Sequence, residues 1–212
     1  MRRPSRPLTP LMNRDTGERR APPEVAGPLD ARRAFLRRAG AGLGAAALVG
    51  GGLPLAARAA LPTERRLSLV NAHTWERLDV VYFTHGMYID ESLAAVSHLM
   101  RDHRAGEERL MDPRLLDDLV RLHASLETEE PLHLLSGYRT PATNAKLRMR
   151  SKGVAKYSLH MEGRAADIYV PGVPTEELQR AALDMRAGGV GYYKSSNFVH
   201  IDTGEVRHWE RG

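Results

Sequence analysis

The chain of 212 residues has no cysteine. Disulfide staples are therefore excluded, even for an exported domain, and the fold must rest on its hydrophobic core. About 150 residues are available for that core, enough to bury about 70% of the unfolded surface. Long apolar runs are also missing. The most apolar stretch, residues 39–55, consists mainly of Ala, Gly, Leu and Val and falls short of the ~20 residues that a spanning helix needs. A basic folded part is missing too, although the whole chain carries a net charge of +5. Residues 1–59 hold 11 Arg against 4 acids, which leaves 20 Lys and Arg against 22 acids in residues 60–212, a net of −2. The positive excess belongs to the leader, so the high pI gives no support to nucleic-acid binding, which needs a basic patch on the folded part. No internal repeat, P-loop, dinucleotide fingerprint or nucleophile elbow occurs.

What is present begins with an address. Residues 1–30 are rich in Pro, Arg and Gly with no apolar period, and read as disordered. Ala31-Arg-Arg-Ala-Phe-Leu-Arg37, the apolar run after it and the small-residue segment Ala57-Arg-Ala59 form the three regions of an export signal. Arg32-Arg33 with Phe35-Leu36 resembles the twin-arginine variety. The expected organisation is a leader and signal over residues 1–59, cleaved after Ala59, and one domain over residues 60–212. An uncleaved anchor is the alternative, and it also places the domain outside the cytoplasm.

Local patterns then supply the elements. Leu67–Val70 and Asp79–Phe83 read as a hairpin with His73 and Trp75 in its turn. A helical pattern begins at Asp90-Glu91 and ends near Arg104. A second starts at Asp112-Pro113, an N-cap followed by proline at the first helical position. His98, His103 and His123 ride on these helices as structural residues. Leu132–Leu135 is a buried strand that contains His133 and delivers Ser136-Gly-Tyr-Arg139; Thr140-Pro141 opens another helix. Thr175 reads as the cap of the next, with Glu176 and Glu177 in its first turn. Gly191–Tyr193 and Phe198–Asp202 form a hairpin around Lys194–Asn197, and the tail Val206–Trp209 is placed to fold back over a cleft.

The chemistry is concentrated in two stretches. Ser158-x-His160-x-x-Gly163-x-Ala165-x-Asp167 sets an imidazole and a carboxylate seven positions apart across a glycine turn, and His200 lies in the apolar run Phe198-Val-His-Ile-Asp202. Two histidines and one carboxylate make an open zinc site, because catalytic zinc typically keeps three protein ligands and leaves a position for water. All three ligands are expected on strands. An arginine just past a strand end, Arg139, is suited to bidentate hydrogen bonding of a carboxylate or carbonyl. Lys146, Arg148, Arg150, Lys152 and Lys156 make a basic cluster, read either as a solvated face or as an attractor of carboxylate-bearing peptides.

Ser136-Gly-Tyr-Arg139, the His160/Asp167 motif, Gly189-Val-Gly-Tyr-Tyr193 and Phe198-Val-His-Ile-Asp202 come in an order that resembles the D-alanyl-D-alanine type zinc metallopeptidases of hedgehog-like fold. More closely, the chain resembles the MepK-like murein endopeptidases. Leu67–Phe83, Arg101–Arg104 and Met111–Leu115 extend the likeness. The resemblance implies an α+β domain with a small antiparallel sheet flanked by helices, zinc on His160, Asp167 and His200, and Arg139 in the substrate cleft. It also implies that a twin-arginine signal carries folded cargo, compatible with loading metal before export. Many members of the wider fold place a glutamate three residues before the last histidine, or a histidine two before it; here those positions are Asn197 and Phe198. Asp202, two residues after His200, is then either the general base or a residue that orients the imidazole, and His208 is a second candidate for the base. The expected function is a zinc-dependent peptidoglycan endopeptidase of the periplasm or cell envelope, touching membrane only through its signal. A non-catalytic zinc-containing cell-wall-binding protein, and a carboxypeptidase or dipeptidase acting on D-Ala-D-Ala, remain open.

Overall fold

The computed structural model describes residues 61–151 and 153–212; the leader, the signal segment and Lys152 lie outside the described residues. In chain order the elements are β1 (Arg65–Asn71), β2 (Arg77–Thr84), β3 (Met87–Tyr88), α1 (Asp90–Leu99), α2 (Pro113–Ser125), β4 (Leu132–Ser136), α3 (Pro141–Arg150), β5 (Ala165–Tyr169), α4 (Thr175–Met185), β6 (Gly189–Tyr193), β7 (Phe198–Asp202) and β8 (Arg207–Arg211). The mixture of helix and sheet matches the expected class. The small antiparallel sheet does not. All eight strands join one sheet in the order β3-β2-β1-β4-β5-β7-β6-β8. Two of its pairings, β1 with β4 and β6 with β8, are parallel. Neither is announced by a tight turn: two strands and two helices separate β1 from β4 in sequence, and β7 separates β6 from β8.

Alternation along the strands divides the sheet into two faces. Ala166, Ile168, Val190, Tyr192, Val199 and Ile201 point to one side and are buried in the core. There they share a cluster with Leu115, Leu119 and Leu122 of α2 and Leu178 and Ala182 of α4. The residues between them, Asp167, Gly191, His200 and Asp202, point to the other side, where the functional cleft lies. The helices thus provide a rigid backing for one face, leaving the opposite face of the same strands to carry chemistry.

The helix starts follow local rules. The Asp112 side chain accepts from the Arg114 backbone N–H at 2.9 Å with Pro113 in the first turn, and Thr140 accepts from Thr143 N–H at 3.1 Å. Caps of this kind contribute about 1 kcal/mol each. Three details depart from expectation. First, α1 stops at Leu99 instead of near Arg104, because Asp102 collects the following chain into a turn: its carboxylate accepts from Arg104 N–H at 3.1 Å, and its own N–H reaches Glu107 O at 2.8 Å. Second, Thr175 is the first residue of α4 and Pro174 occupies the cap. Its hydroxyl is taken by the side chain of Asn197 instead of a helical N–H. Third, His160 stands on a 3-10 turn, Leu159–Glu162, not on a strand. Among the described residues no helix is long and apolar enough to cross a membrane.

Candidate metal centre

Strand register builds most of the site. Asp167 of β5 is paired with His200 of β7, His200 with Gly191 of β6, and Gly191 with Trp209 of β8. On its other side Asp167 is paired with Ser136, beyond an irregularity in β4. Directly opposed residues share a face, so one row crosses five strands: Ser136, Asp167, His200, Gly191, Trp209. His160 enters this row from outside the sheet. Its 3-10 turn closes on Gly163 at φ 72°, where a Cβ would lie 2.7 Å from the Leu110 carbonyl. A side chain there would be both strained and blocked, so the glycine in the motif allows the chain to double back and set Asp167 beside His160.

Three side-chain atoms converge: His160 Nε2, His200 Nδ1 and Asp167 Oδ1. The separations are 3.1 Å between the two nitrogens, 3.2 Å from His160 Nε2 to the oxygen and 2.8 Å from His200 Nδ1 to it. All three residues are buried. The far nitrogens fix the rings. His160 Nδ1–H donates to the Gly137 carbonyl at 2.7 Å, and His200 Nε2–H donates to Asp202 Oδ2 at 3.0 Å. Each inward nitrogen can therefore present a lone pair. Three acceptors this close repel one another unless a cation lies between them, either a proton on His200 Nδ1 or a metal ion. The donor set, with each imidazole anchored through its other nitrogen, fits a metal ion.

Burial pushes the His160 imidazolium down to about 4, so this ring is neutral near pH 7. Burial alone would raise the Asp167 carboxyl; the His160 and His200 imidazoles, in their protonated forms, and the Arg139 guanidinium instead hold it well below the ordinary carboxylate range. Burial alone would lower His200, but its bonds to Asp167 and Asp202 carry it upward. For Asp202 burial is likewise outweighed, by hydrogen bonds from His200 and Arg207, and the group stays ionised.

Two arginine–carboxylate pairs flank the convergent atoms. Arg139 donates from Nε to Ser136 Oγ at 2.7 Å and from one Nη to Asp167 Oδ2, leaving Oδ1 of that carboxylate turned inward. Arg207 donates to both oxygens of Asp202, at 2.7 and 3.1 Å. Asp202 also accepts from the backbone N–H groups of Gly189 at 3.2 Å and Gly204 at 2.9 Å, and its side chain is fully buried. His160, Asp167 and His200 open into a cleft of about 460 Å³, which Arg139 and Asp202 also line. Its walls include the segment 153–155, Tyr157, and the stacked pair Tyr193 and Phe198, whose ring centroids are 4.4 Å apart.

Every candidate named for metal binding or catalysis at the core of the sequence motifs is thus brought to one cleft. His208 is not: it is paired with Val190 on the helix-backed face, beside Leu183 and Arg186. Asn197 also stays out, in a left-handed conformation with its side chain on Thr175. The tail is a strand at the sheet edge instead of a flap, and it contributes two residues that the motifs do not single out. Arg207 clamps Asp202, and Trp209 sets its ring 5.2 Å from that of His200. The indole occupies the space where a side chain on Gly191 would be, since a Cβ there would come within 2.4 Å of it. The alternation Arg207-x-Trp209-x-Arg211 was the available sequence signal for a strand with one face toward the cleft.

A family model described as Peptidoglycan L,D-endopeptidase MepK matches residues 59–209. The chain is 48% identical over 178 residues to the Peptidoglycan L,D-endopeptidase MepK of Escherichia coli, an alignment covering 84% of this chain and 96% of that protein. The protein of the same name from Shigella flexneri gives the same figures. The Probable peptidoglycan L,D-endopeptidase MepK of Haemophilus influenzae is 38% identical over 150 residues, 70% of this chain and 81% of that one. The family match takes in the whole row from Ser136 to Trp209 together with Arg139, His160 and Asp202, and the chain belongs to the peptidoglycan L,D-endopeptidase MepK family.

Proposed function

We infer that this protein is a zinc-dependent endopeptidase that hydrolyses peptide bonds of peptidoglycan stem peptides or cross-links in the periplasm or cell envelope. The observation that carries the reading is the convergence of two imidazole lone pairs and one carboxylate oxygen at the floor of an open cleft. His160, Asp167 and His200 would hold the ion. When bound, zinc would supply Lewis acidity toward a peptide carbonyl and toward water.

The remaining roles follow from what each side chain touches. Arg139 holds Asp167 with one Nη, and its second Nη is the group available to a developing oxyanion or to a substrate carboxylate. Asp202 lies on the far side of the His200 ring from the inward nitrogen, with both oxygens already accepting hydrogen bonds. This favours orienting His200 over serving as general base. A leader exported by the twin-arginine route, with the domain of residues 60–212 behind it, would bring the protein to its substrate.

One observation favours a second reading, a zinc-containing cell-wall-binding protein without turnover. Among the described residues lining the cleft the carboxylates are Asp167 and Asp202, and both are engaged, so none stands free to move a proton. Incubating the zinc-loaded full chain with purified murein and weighing the soluble products by mass spectrometry separates the two. Release of muropeptides that stops with a chelator and in His160→Ala establishes the hydrolase. The product masses name the bond and so also test the carboxypeptidase and dipeptidase alternatives. Stoichiometric zinc without product establishes the binder.

A further inference from the structure

The cleft contains three guanidinium groups, and they are not equivalent. Arg139 is paired with Asp167 and Arg207 with Asp202. Arg211 lines the same cleft and has no hydrogen-bond, ion-pair or ring partner among the described residues. The cleft carboxylates are used up by the other two arginines, which leaves one uncompensated positive charge at its mouth. Register fixes where that charge sits. Arg211 is paired with Tyr193, and Tyr193 with Phe198, so the three form a second row on the cleft face, two residues along the strands from the row of His200. With strands about 4.8 Å apart and a rise of about 3.3 Å per residue, the Arg211 Cα stands about 12 Å from that of His200. The stacked rings of Tyr193 and Phe198 pave the path between them. Arg211 also lies beyond the family match, which ends at Trp209.

We propose that Arg211 is a specificity-determining residue that binds a carboxylate of the peptide substrate two or three residues from the bond being cut. An extended peptide advances about 3.4 Å per residue. A chain laid over the aromatic pair from the metal centre therefore reaches the guanidinium within that distance once the length of the arginine arm is counted. A guanidinium that spends no hydrogen bonds on its own protein offers its planar fork to a carboxylate. The proposal rests on the peptidase reading for its substrate class, but its test does not require turnover.

The probe is a set of short peptides containing one L–D peptide bond, with each free carboxylate in turn replaced by its carboxamide. Binding to the full chain is followed by calorimetric titration in chelator, where no cleavage occurs. One carboxylate peptide is expected to bind wild type about tenfold more tightly than its carboxamide twin, the strength of one charge-assisted pair near a surface. Arg211→Gln is expected to lose that ratio and Arg211→Lys to keep part of it. Equal ratios in wild type and Arg211→Gln overturn the proposal, as does a wild type that ignores every carboxylate. Zinc-loaded protein is then assayed with the same peptides. Discrimination in binding without cleavage refutes the peptidase reading and leaves Arg211 as a carboxylate reader, whereas cleavage with unchanged ratios does the reverse.

Discussion

His200 is held from behind. Its Nε2–H is fixed by a carboxylate that is itself fixed by Arg207 and two backbone N–H groups, so the direction of the inward nitrogen depends on groups on the opposite side of the ring from the three convergent atoms. Asp202→Ala is expected to lower zinc affinity about 10- to 100-fold, the usual cost of removing such a partner. Competition against a chromophoric chelator measures it, and an affinity within twofold of wild type would remove Asp202 from this role. The convergence of His160, Asp167 and His200 could be expected from the order of motifs that resembles the zinc metallopeptidases and not from spacing alone, because a histidine or aspartate near a strand is more often a structural residue. Arg207 and Trp209 were not legible as site residues. Their partners, Asp202 and Gly191, become neighbours only through parallel pairing of β8 with β6, which no local pattern encodes.

At the scale of elements, the turn after α1 is tied to the start of α3. Asp102 Oδ2 accepts from the backbone N–H of Thr140 at 2.9 Å and from its hydroxyl at 3.0 Å, fixing the residue that follows Arg139. Burial would raise the Asp102 carboxyl, but hydrogen bonds from Thr143, Thr140 and Arg104 outweigh it and lower its pKa below 3.8. A carboxyl lowered on folding stabilises the protein fully above its unfolded pKa and loses that contribution as pH falls through the folded one. Calorimetric melting should therefore show Asp102→Asn less stable than wild type by about 1–3 kcal/mol at pH 7. The gap should narrow as pH falls below about 3.8. A gap that stays constant with pH would mean the charge is not what matters. Helix starts at Asp112 and Thr140, and the β6–β7 hairpin, could be read from sequence because their signals are local. The end of α1 could not, because nothing in Arg101-Asp-His-Arg104 marks Asp102 as the residue that turns the chain onto Glu107 and also binds Thr140, 38 residues on.

At the scale of the whole molecule, a second, partly buried charge cluster lies on the β1–β3 side of the sheet. Arg65 donates to Asp117 at 2.7 Å, the hydroxyls of Tyr82 and Tyr88 donate to the same carboxylate at 2.8 and 2.9 Å, and the guanidinium lies 3.8 Å from the Phe83 ring centroid. It joins α2 to the first three strands and touches none of the metal-centre residues. Asp117→Ala leaves a partly exposed guanidinium and two hydroxyls, of which only that of Tyr82 is buried, without their acceptor and is expected to cost about 1–3 kcal/mol. Denaturant unfolding measures this, while zinc affinity of the folded protein should stay within twofold; a parallel loss of both would show that the two sides are coupled. The row from Ser136 to Trp209 has its own bearing on how the chain finds this arrangement. Shifting β7 by one residue would turn His200 and Asp202 into the helical layer and bring Val199 and Ile201 out. Such a mispaired sheet would keep its backbone ladders but could not assemble three ligands. A cation present while the strands are choosing partners would deepen the correctly paired basin alone, by about 4 kcal/mol at a concentration 1,000 times its dissociation constant. Zinc would thus serve as an editor of strand pairing before it serves any reaction.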